Sequence, residues 1–338
     1  MVDIKKITTF ESLFMSTFST IKIPVKDELK RFDDFFSSYL KSDAPLLNII
    51  TTYTLKTKGK QFRPVLVFLS AKLFDNINDS TFHAASLIEL MHTATLIHDD
   101  VVDNSYERRG VFSVNALWKN KVSVLVGDYL LAKGLLLAVD KNEHELLRVV
   151  SEAVKEMSEG ELLQIEKARK IDINEELYYK IIQKKTASLI SACTHAGSLS
   201  AKVSADIGLT MKTLGYNIGM AFQIKDDLFD FNMDNKTGKP AGNDIREQKY
   251  TLPLIHTFKE CTTKEKKHLL NLLSQFEKNK QSIDEINHII EEKHGFEYTE
   301  TVMYKFIDKA KEILSSLPQN DANRSLVALV DYTTQRNK

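Results

Sequence analysis

Glycine and proline are scarce in this chain, at 12 and 6 of its 338 residues. Average proteins contain roughly 12% of the two together, and sheets, barrels and long loops depend on them at turns. Their scarcity therefore predicts a mostly helical, all-α protein. Cysteine is scarcer still, because only Cys193 and Cys261 are present. Two cysteines cannot form a disulfide framework, so we expect a reducing, cytoplasmic location.

An excess of charge of either sign is also lacking. Lys and Arg number 46, Asp and Glu number 46, and the formal net charge is therefore 0. A neutral chain has no general basic surface of the kind that attracts nucleic acid, so we expect no nucleic-acid partner. No linker rich in Gly, Ser or Pro and no internal repeat divides the sequence, which predicts one domain over residues 1–338.

Long uninterrupted apolar runs are missing as well. The N-terminal segment contains no continuous apolar region of the kind found in signal peptides. The most apolar stretch, residues 122–139, includes Asp128 and Lys133. Because these charges interrupt a membrane span, we expect this stretch to form a buried helix of a soluble protein.

Apolar residues recur at helical spacing over most of the chain. A long helix is predicted from an N-cap at Asp79-Ser80 to about Asp103, and loops are predicted over residues 104–111 and 232–250. The helices that end at Asp103 and Asp230 are apolar nearly all round, which predicts central positions in a large bundle. Further helices are predicted over residues 122–139, 143–167, 175–199, 204–230, 264–275, 281–294, 296–314 and 320–333.

Two triplets of aspartate lie at the ends of these two helices. They share the spacing i, i+1, i+4 and consist of Asp99, Asp100 and Asp103, and of Asp226, Asp227 and Asp230. Residues i and i+4 share a helix face, where like charges repel, and a helix C-terminus further disfavours anions. Hard divalent cations such as Mg²⁺ offset this repulsion and accept phosphate oxygens. One triplet alone is equally consistent with a solvated acidic helix end, but two triplets predict facing walls of a cavity for metal-bound polyphosphate.

Cationic residues near the first triplet indicate an anionic ligand. Arg108 and Arg109 follow the triplet by a short turn, and Lys60 and Arg63 lie at the start of another predicted helix. Arg offers phosphate a two-pronged donor, and Lys offers it a compact charge. His92 lies two turns before the triplet on the same helix face. Alone, the arginines are consistent with exposed charge and His92 with a hydrogen-bonded core residue; together they predict a diphosphate site.

Seven blocks of sequence occur in the order found in one enzyme family. With their residue numbers they are GKQFRP (59–64), ELMHTATLIHDDVVDNSYERRG (89–110), GDYLLAKG (127–134), EGELLQ (159–164), KKTASLI (184–190), FQIKDDLFD (222–230) and GKPAGNDIREQKYTLP (238–253). In these blocks the chain resembles the trans-prenyltransferases, the polyprenyl diphosphate synthase family, and in particular its long-chain octaprenyl members. The likeness is strong over residues 30–260 and continues beyond them as a compatible helical pattern. It implies an all-helical isoprenoid-synthase fold around a deep central pocket.

The resemblance also implies roles for single residues in the condensation of an allylic diphosphate with isopentenyl diphosphate. The direct Mg²⁺ ligands would be Asp99, Asp103 and Asp226, with Asp100, Asp227 and Asp230 binding through water or orienting them. The allylic diphosphate would be held by Arg108, Lys185, Lys239 and Lys249, and the isopentenyl diphosphate by Lys60, Arg63, His92 and Arg109. The side chains near the reacting carbons would be Thr186 and Gln223. The chain departs from the family pattern at Glu247-Gln248-Lys249, where the family often has glycine in the middle position, and this affects how Lys249 is placed.

The product length depends on the residues that line the growing tail. By the resemblance, the tail runs from Asp99 towards the N-terminus of the same helix. The positions four, five, eight, nine and twelve before Asp99 hold Thr95, Ala94, Met91, Leu90 and Leu87. Short-chain members have large aromatic residues at the first of these levels, whereas this chain has small ones. This favours a long hexaprenyl to nonaprenyl product, octaprenyl in particular, for quinone side chains. The alternative is that Leu131 or Leu135 of another helix closes the tunnel early and gives a farnesyl or geranylgeranyl product.

Three other functions compete with this interpretation. A terpene cyclase also ionises allylic diphosphates, but it needs no second diphosphate site, and its second metal motif usually mixes Asp, Asn, Ser, Thr and Glu. A di-iron bundle would use Glu89-x-x-His92 and Glu285-x-x-His288, which have the required i, i+3 spacing, but it leaves both triplets unexplained. A non-catalytic partner subunit is expected to have lost some of the aspartates, and this chain retains them all. The resemblance further implies a homodimer, and a transient membrane contact would serve product release.

Overall fold

The computed structural model describes residues 18–57, 59–108, 110–168, 174–231, 249–275 and 282–335. Its regular elements are almost entirely helices, which confirms the all-α prediction. The first part of the chain contains a 3₁₀ turn (Ile23–Val25), α1 (Lys26–Tyr39), α2 (Pro45–Lys56), α3 (Phe62–Lys72), α4 (Asp79–Val102), β1 (Glu107–Arg108), β2 (Val111–Phe112) and α5 (Val114–Asp140). The remainder contains α6 (His144–Ala168), α7 (Glu175–Ile182), a π-helix (Gln183–Ala187), α8 (Ser188–Ser200), α9 (Ala205–Asp230), α10 (Leu252–Glu260), α11 (Thr263–Gln275), α12 (Ser282–Glu292), α13 (Gly295–Ser315) and α14 (Asp321–Gln335).

The predicted helix over residues 175–199 is in fact three elements: α7, the π-helix and α8. A π-turn adds one residue to the helical turn without ending the helix. Apolar periodicity therefore continues across it, and the sequence pattern does not reveal the change. The prediction of one uninterrupted helix is wrong at this point, and the π-helix carries residues of the candidate site.

The N-cap of α4 lies one residue before the predicted N-cap at Asp79-Ser80. Asn78 is the N-cap, and its side chain accepts a hydrogen bond of 2.9 Å from the amide of Ser80. In return, the hydroxyl of Thr81 accepts a hydrogen bond of 3.3 Å from the amide of Asn78. This reciprocal cap satisfies amides that a helix start leaves without partners.

The segment after α4 was predicted as a loop over residues 104–111, but it contains a short hairpin. β1 and β2 pair antiparallel, with Glu107 opposite Phe112 and Arg108 opposite Val111. The phenol of Tyr53 on α2 donates a hydrogen bond of 2.6 Å to the carbonyl of Phe112. The hairpin is thus tied to a neighbouring helix, which gives Arg108 a defined position. Of the second predicted loop, over residues 232–250, only Lys249 and Tyr250 lie within the described residues.

The two helices that end in aspartate triplets are central, as predicted. Helix α4 packs against α3, α5, α6 and α8, while α9 packs against α8, the π-helix, α13 and α14. Helix α8 therefore contacts both α4 and α9, the helices that end in the aspartate triplets. Both are largely buried along their length, which their apolar composition requires.

Helix α5 is less buried than the buried helix predicted over residues 122–139. One face packs on α4, but the opposite face exposes large apolar side chains, with Leu125 at 59% and Leu136 at 53% exposed. By length and composition alone, α5 is the one described helix that could cross a membrane. Hydrophobicity all round a helix shows that burial is favourable, but it does not show which neighbour covers each face.

Candidate functional site

The first aspartate triplet lies where α4 ends, with Asp103 as the C-cap residue. Asp100 is only 2% exposed, Asp99 is half-buried and Asp103 is exposed. A solvated acidic helix end does not place a carboxylate in the protein interior, because a buried charge needs a partner. The burial of Asp100 therefore argues against that alternative.

The partner of Asp100 is Arg108 on β1. Oδ1 of Asp100 lies 2.8 Å from Nε and 2.7 Å from Nη2 of Arg108. The amide of Asn115 also donates to the backbone carbonyl of Asp100, at 3.2 Å. The resemblance assigns Arg108 to the allylic diphosphate. Asp100, an aspartate of the first triplet, thus holds Arg108 beside that triplet.

Asp99 is partly buried among charged side chains of both signs. Burial, Glu161 and Asp103 raise the pKa of Asp99 from 3.8 to about 6, whereas Lys185 and Arg108 lower it. Burial is the largest of these effects. Burial thus makes the carboxylate form of Asp99 less favourable, and a divalent cation bound to this carboxylate would offset that cost.

Lys185 reaches this site from the π-helix. Its ammonium forms an ion pair with Glu161 on α6, and it lies 3.4 Å from Oε1 of Gln164. Glu161 and Gln164 belong to the EGELLQ block, but the family resemblance implied no role for either of them. The structure adds Glu161 to the candidate site, since it contacts Lys185 and influences Asp99.

The second triplet, at the end of α9, is organised by a chain of hydrogen bonds. Asp227 is 3% exposed. Its Oδ1 accepts from Nε2 of Gln223 at 2.9 Å, and its Oδ2 accepts from the phenol of Tyr178 at 2.7 Å. The hydroxyl of Thr186 donates to Oε1 of Gln223 at 2.7 Å. Tyr178 was not identified from the sequence; the available signal was its position two helical turns before Lys185.

The π-helix links the two acidic helix ends. Its Lys185 lies near Asp99, and its Thr186 is hydrogen-bonded to Gln223 in the second triplet's network. Two glycines make this position possible. A Cβ at Gly160 on α6 would lie 2.8 Å from Cβ of Lys184, and one at Gly219 on α9 would lie 2.6 Å from Cα of Ala187. Any larger residue would therefore push the π-helix away.

The predicted isopentenyl diphosphate residues lie on the elements around α3 and α4. Nζ of Lys60 donates to the phenol of Tyr332 on α14 at 2.9 Å, and Nε of Arg63 donates to Oε1 of Glu89 at 2.8 Å. A cavity of about 70 Å³ is lined by Arg63, Glu89, Asp100 and Arg108, among others. Half-buried His92 lies on α4, two turns before Asp99.

Some predicted residues cannot be placed in this way. Arg109 and Lys239, as well as Glu247 and Gln248 of the unusual motif, lie outside the described residues. Lys249 is half-buried in the segment that precedes α10. The roles that the resemblance assigns to these residues stay predictions.

The predicted tail-lining residues lie on the buried part of α4. Ala94, Leu90, Leu87 and Met91 are buried and Thr95 is half-buried. Gly134 of α5 packs directly on Leu87, Leu90 and Met91. Of the two residues proposed to close the tunnel early, Leu131 is half-buried, but Leu135 is 46% exposed. Leu135 is thus one of the exposed residues of α5, and early closure of the tunnel stays an alternative prediction.

The aspartate carboxylates at this site are ligands of the kind that Mg²⁺ prefers. Within the described ranges, no three His, Cys, Asp or Glu side chains converge as a ready-made metal cluster. Mg²⁺ does not require one, because it keeps several waters and binds one or two carboxylates together with substrate phosphates. The di-iron alternative is not supported, since Glu89 pairs with Arg63 and Glu285 pairs with His268 at 2.8 Å.

Comparison with known proteins gives a consistent result. Residues 44–292 match the family model described as polyprenyl synthetase. The chain is 33% identical over 300 residues to the octaprenyl diphosphate synthase of Escherichia coli (strain K12). This alignment covers 88% of the chain and 93% of the relative. The chain is also 32% identical over 311 residues to the geranylgeranyl diphosphate synthase of Saccharolobus solfataricus. That alignment covers 89% of the chain and 93% of the relative.

A solved structure extends the comparison to the fold. The polyprenyl synthase from Caulobacter crescentus, crystallised in complex with calcium and isoprenyl diphosphate, superposes with a TM-score of 0.86 at 30% identity. The alignment covers 95% of this chain and 98% of that one. The predicted isoprenoid-synthase fold is thereby confirmed.

Proposed function

Because this chain belongs to the polyprenyl synthetase family, we propose that it extends an allylic diphosphate with successive isopentenyl units in the presence of Mg²⁺. Its relatives are prenyl diphosphate synthases, so the chain is a prenyltransferase. The observation that carries this proposal is the π-helix that joins the two acidic helix ends. It places a cation beside one triplet and a hydrogen-bonded Thr-Gln pair beside the other.

Asp99, Asp103 and Asp226 would hold the metal ions, and Asp100, Asp227 and Asp230 would orient the site. The observed partners of Asp100 and Asp227 support the orienting role, because their carboxylates already accept hydrogen bonds from protein groups. When bound, Mg²⁺ would neutralise the diphosphate and make it a better leaving group. Arg108, Lys185, Lys239 and Lys249 would add positive charge around the same diphosphate.

The isopentenyl diphosphate would bind to Lys60, Arg63, His92 and Arg109. In the reaction, the allylic C–O bond breaks and its electron pair leaves with the diphosphate. The double bond of isopentenyl diphosphate then attacks the allylic carbon, and a proton is lost to the departed diphosphate. Thr186 and Gln223 are neutral dipoles, so they can stabilise the developing positive charge without reacting with it.

We propose a long product, in the hexaprenyl to nonaprenyl range and octaprenyl in particular, which would serve as a quinone side chain. Ala94 and Thr95 are small, and the apolar side chains of Met91, Leu90 and Leu87 continue along α4 below them. Relatives of similar identity make octaprenyl and geranylgeranyl diphosphate. The size of the residues near Ala94 is therefore what favours the longer product.

We also propose that the protein is a homodimer through α5. Its exposed face carries Val124, Leu125, Leu135 and Leu136, and a contiguous apolar patch on a protein surface marks an interaction site. A second copy would cover this face with the same face of its own, as two-fold symmetry requires. In a cytoplasmic enzyme, this dimer would remove the apolar face of α5 from water. Membrane contact would then be needed only for release of the product.

One assay tests these proposals together. The purified protein is incubated with labelled isopentenyl diphosphate, farnesyl diphosphate and Mg²⁺, and the dephosphorylated products are sized. Octaprenyl-range products support the proposal, geranylgeranyl products show that the tunnel closes early, and no condensation contradicts the function. Diphosphate release that needs no isopentenyl diphosphate would indicate a cyclase. Light scattering of the same sample should give twice the mass of the chain, and a monomer would contradict the dimer.

A further inference from the structure

The C-terminal helix α14 reaches the candidate isopentenyl diphosphate site through one side chain. Tyr332 is 5% exposed, and its phenol oxygen accepts a hydrogen bond of 2.9 Å from Nζ of Lys60. The same ammonium lies 5.7 Å from the centroid of the Tyr332 ring. The two residues are 272 positions apart in the sequence, and residues beyond 318 had no assigned role.

Tyr332 is itself held firmly. Its ring packs against Phe18 at a centroid distance of 5.1 Å, and Phe18 in turn stacks on Phe62 at 6.4 Å. Helix α14 also packs against α3, α9 and α13. The phenol therefore has a defined position relative to the start of α3, where Lys60 lies.

Lys60 lies on the loop that leads into α3. It is an exposed residue that precedes Gln61, whose backbone has a positive φ of 60°. A lysine on such a loop has several freely rotating bonds, and fixing them on substrate binding costs entropy. A contact that already holds the ammonium lowers this cost for the diphosphate that binds to it.

We propose that Tyr332 is a positioning residue, which holds the ammonium of Lys60 ready for the diphosphate of isopentenyl diphosphate. The inference rests on the proposed function, because it takes Lys60 as a ligand of that substrate. It assigns helix α14 a part in binding the isopentenyl substrate, on which Tyr332 acts through Lys60.

The variant Tyr332→Phe tests this, because it removes the hydroxyl and keeps the ring that packs on Phe18. We expect the KM for isopentenyl diphosphate to rise about threefold to tenfold, which corresponds to the net loss of one typical intramolecular hydrogen bond. The KM for farnesyl diphosphate and the kcat should stay within twofold of wild type. Tyr304→Phe, at an exposed tyrosine of α13, is the matched control and should change neither KM.

A double variant separates positioning from a merely structural role. In a Lys60→Ala background, where the KM for isopentenyl diphosphate is already raised, Tyr332→Phe should add no further increase. Two additive increases would contradict the inference, as would an unchanged KM in Tyr332→Phe alone. If instead the wild-type protein shows no condensation, the proposed function fails, and that outcome is distinct from wild-type condensation with a normal KM in the variant.

Discussion

The phenol of Tyr178 lies 2.7 Å from Oδ2 of Asp227, and this hydrogen bond joins α7 to the acidic end of α9. Gln223 donates to the other carboxylate oxygen at 2.9 Å. With both oxygens engaged, the carboxylate of Asp227 is fixed in orientation. We therefore expect the middle aspartate of the second triplet to form a scaffold that aligns its neighbours Asp226 and Asp230.

Removal of the Tyr178 hydroxyl should disturb that scaffold. We expect Tyr178→Phe to lower kcat about tenfold and to raise the Mg²⁺ concentration needed for half-maximal rate, as loss of a group that orients metal ligands usually does. Steady-state rates over a Mg²⁺ titration measure both effects. The control is Tyr179→Phe, because the phenol of Tyr179 donates its hydrogen bond of 2.6 Å to Glu175 and not to Asp227. Equal Mg²⁺ requirements in the two variants would show that Tyr178 does not act on the metal site.

The metal assignment predicts a larger effect. Asp99→Ala and Asp226→Ala should each lower kcat by roughly a thousandfold or more, since several kcal/mol of charge stabilisation would be lost. Circular dichroism should show an unchanged helical spectrum. Asp79→Ala, at the opposite end of α4, serves as the control and should retain normal turnover. Near-normal turnover of either site variant with Mg²⁺ would refute the assignment.

The raised pKa of Asp99 predicts a pH-dependent stability of the metal-free protein. Its pKa is about 6 in the folded chain against 3.8 ordinarily, mainly because of burial. Between these values the folded state binds more protons than the unfolded state, so stability from this group falls as the pH rises to about 6 and stays low above it. In the presence of a chelator, Asp99→Asn should therefore raise Tm at pH 7.5. The gain should shrink between pH 6 and pH 4, and a gain that does not change with pH would contradict the prediction.

Close packing around the π-helix predicts sensitivity at Gly160. In Gly160→Ala, the new Cβ would meet Cβ of Lys184 at 2.8 Å and the amide nitrogen of Lys185 at 2.9 Å. The π-helix must then shift, at a cost of about 1–3 kcal/mol, and Lys185 moves with it. We expect a lower Tm together with a higher KM for the allylic diphosphate.

The control for this variant is Gly208→Ala on α9, where the nearest atoms are 3.3 Å and 3.4 Å away on the side chains of Leu199 and His195. These side chains can rotate, so a small effect is expected. If Gly160→Ala loses stability but keeps the wild-type KM for the allylic substrate, the position of Lys185 does not depend on this packing.

The tail path predicts the effect of a large residue at Ala94. Ala94→Tyr should shorten the product to farnesyl or geranylgeranyl size, because a phenol would fill the space below the first triplet. Since Ala94 is fully buried, some loss of Tm is expected as well. Ala94→Ser, which is nearly the same size, should give the wild-type product. Unchanged product length in the tyrosine variant would show that the tail does not pass this residue.

Much of this protein could be predicted from local patterns in the sequence. The helical periodicity, the two triplets at i, i+1, i+4 and the scarcity of Gly and Pro all depend on neighbours within one or two turns. Such short-range features led to the all-α fold and to central positions for α4 and α9, which the structure has. The family likeness added roles for residues within the same blocks.

Other features were decided only by the tertiary structure. Tyr178 and Asp227 are 49 positions apart, and Lys60 and Tyr332 are 272 apart, so no local spacing predicts that they meet. Likewise, the apolar sequence of α5 did not show that one of its faces would be exposed within the described part of the chain. Periodicity establishes which residues favour burial, whereas contacts between distant segments depend on how complete helices pack together.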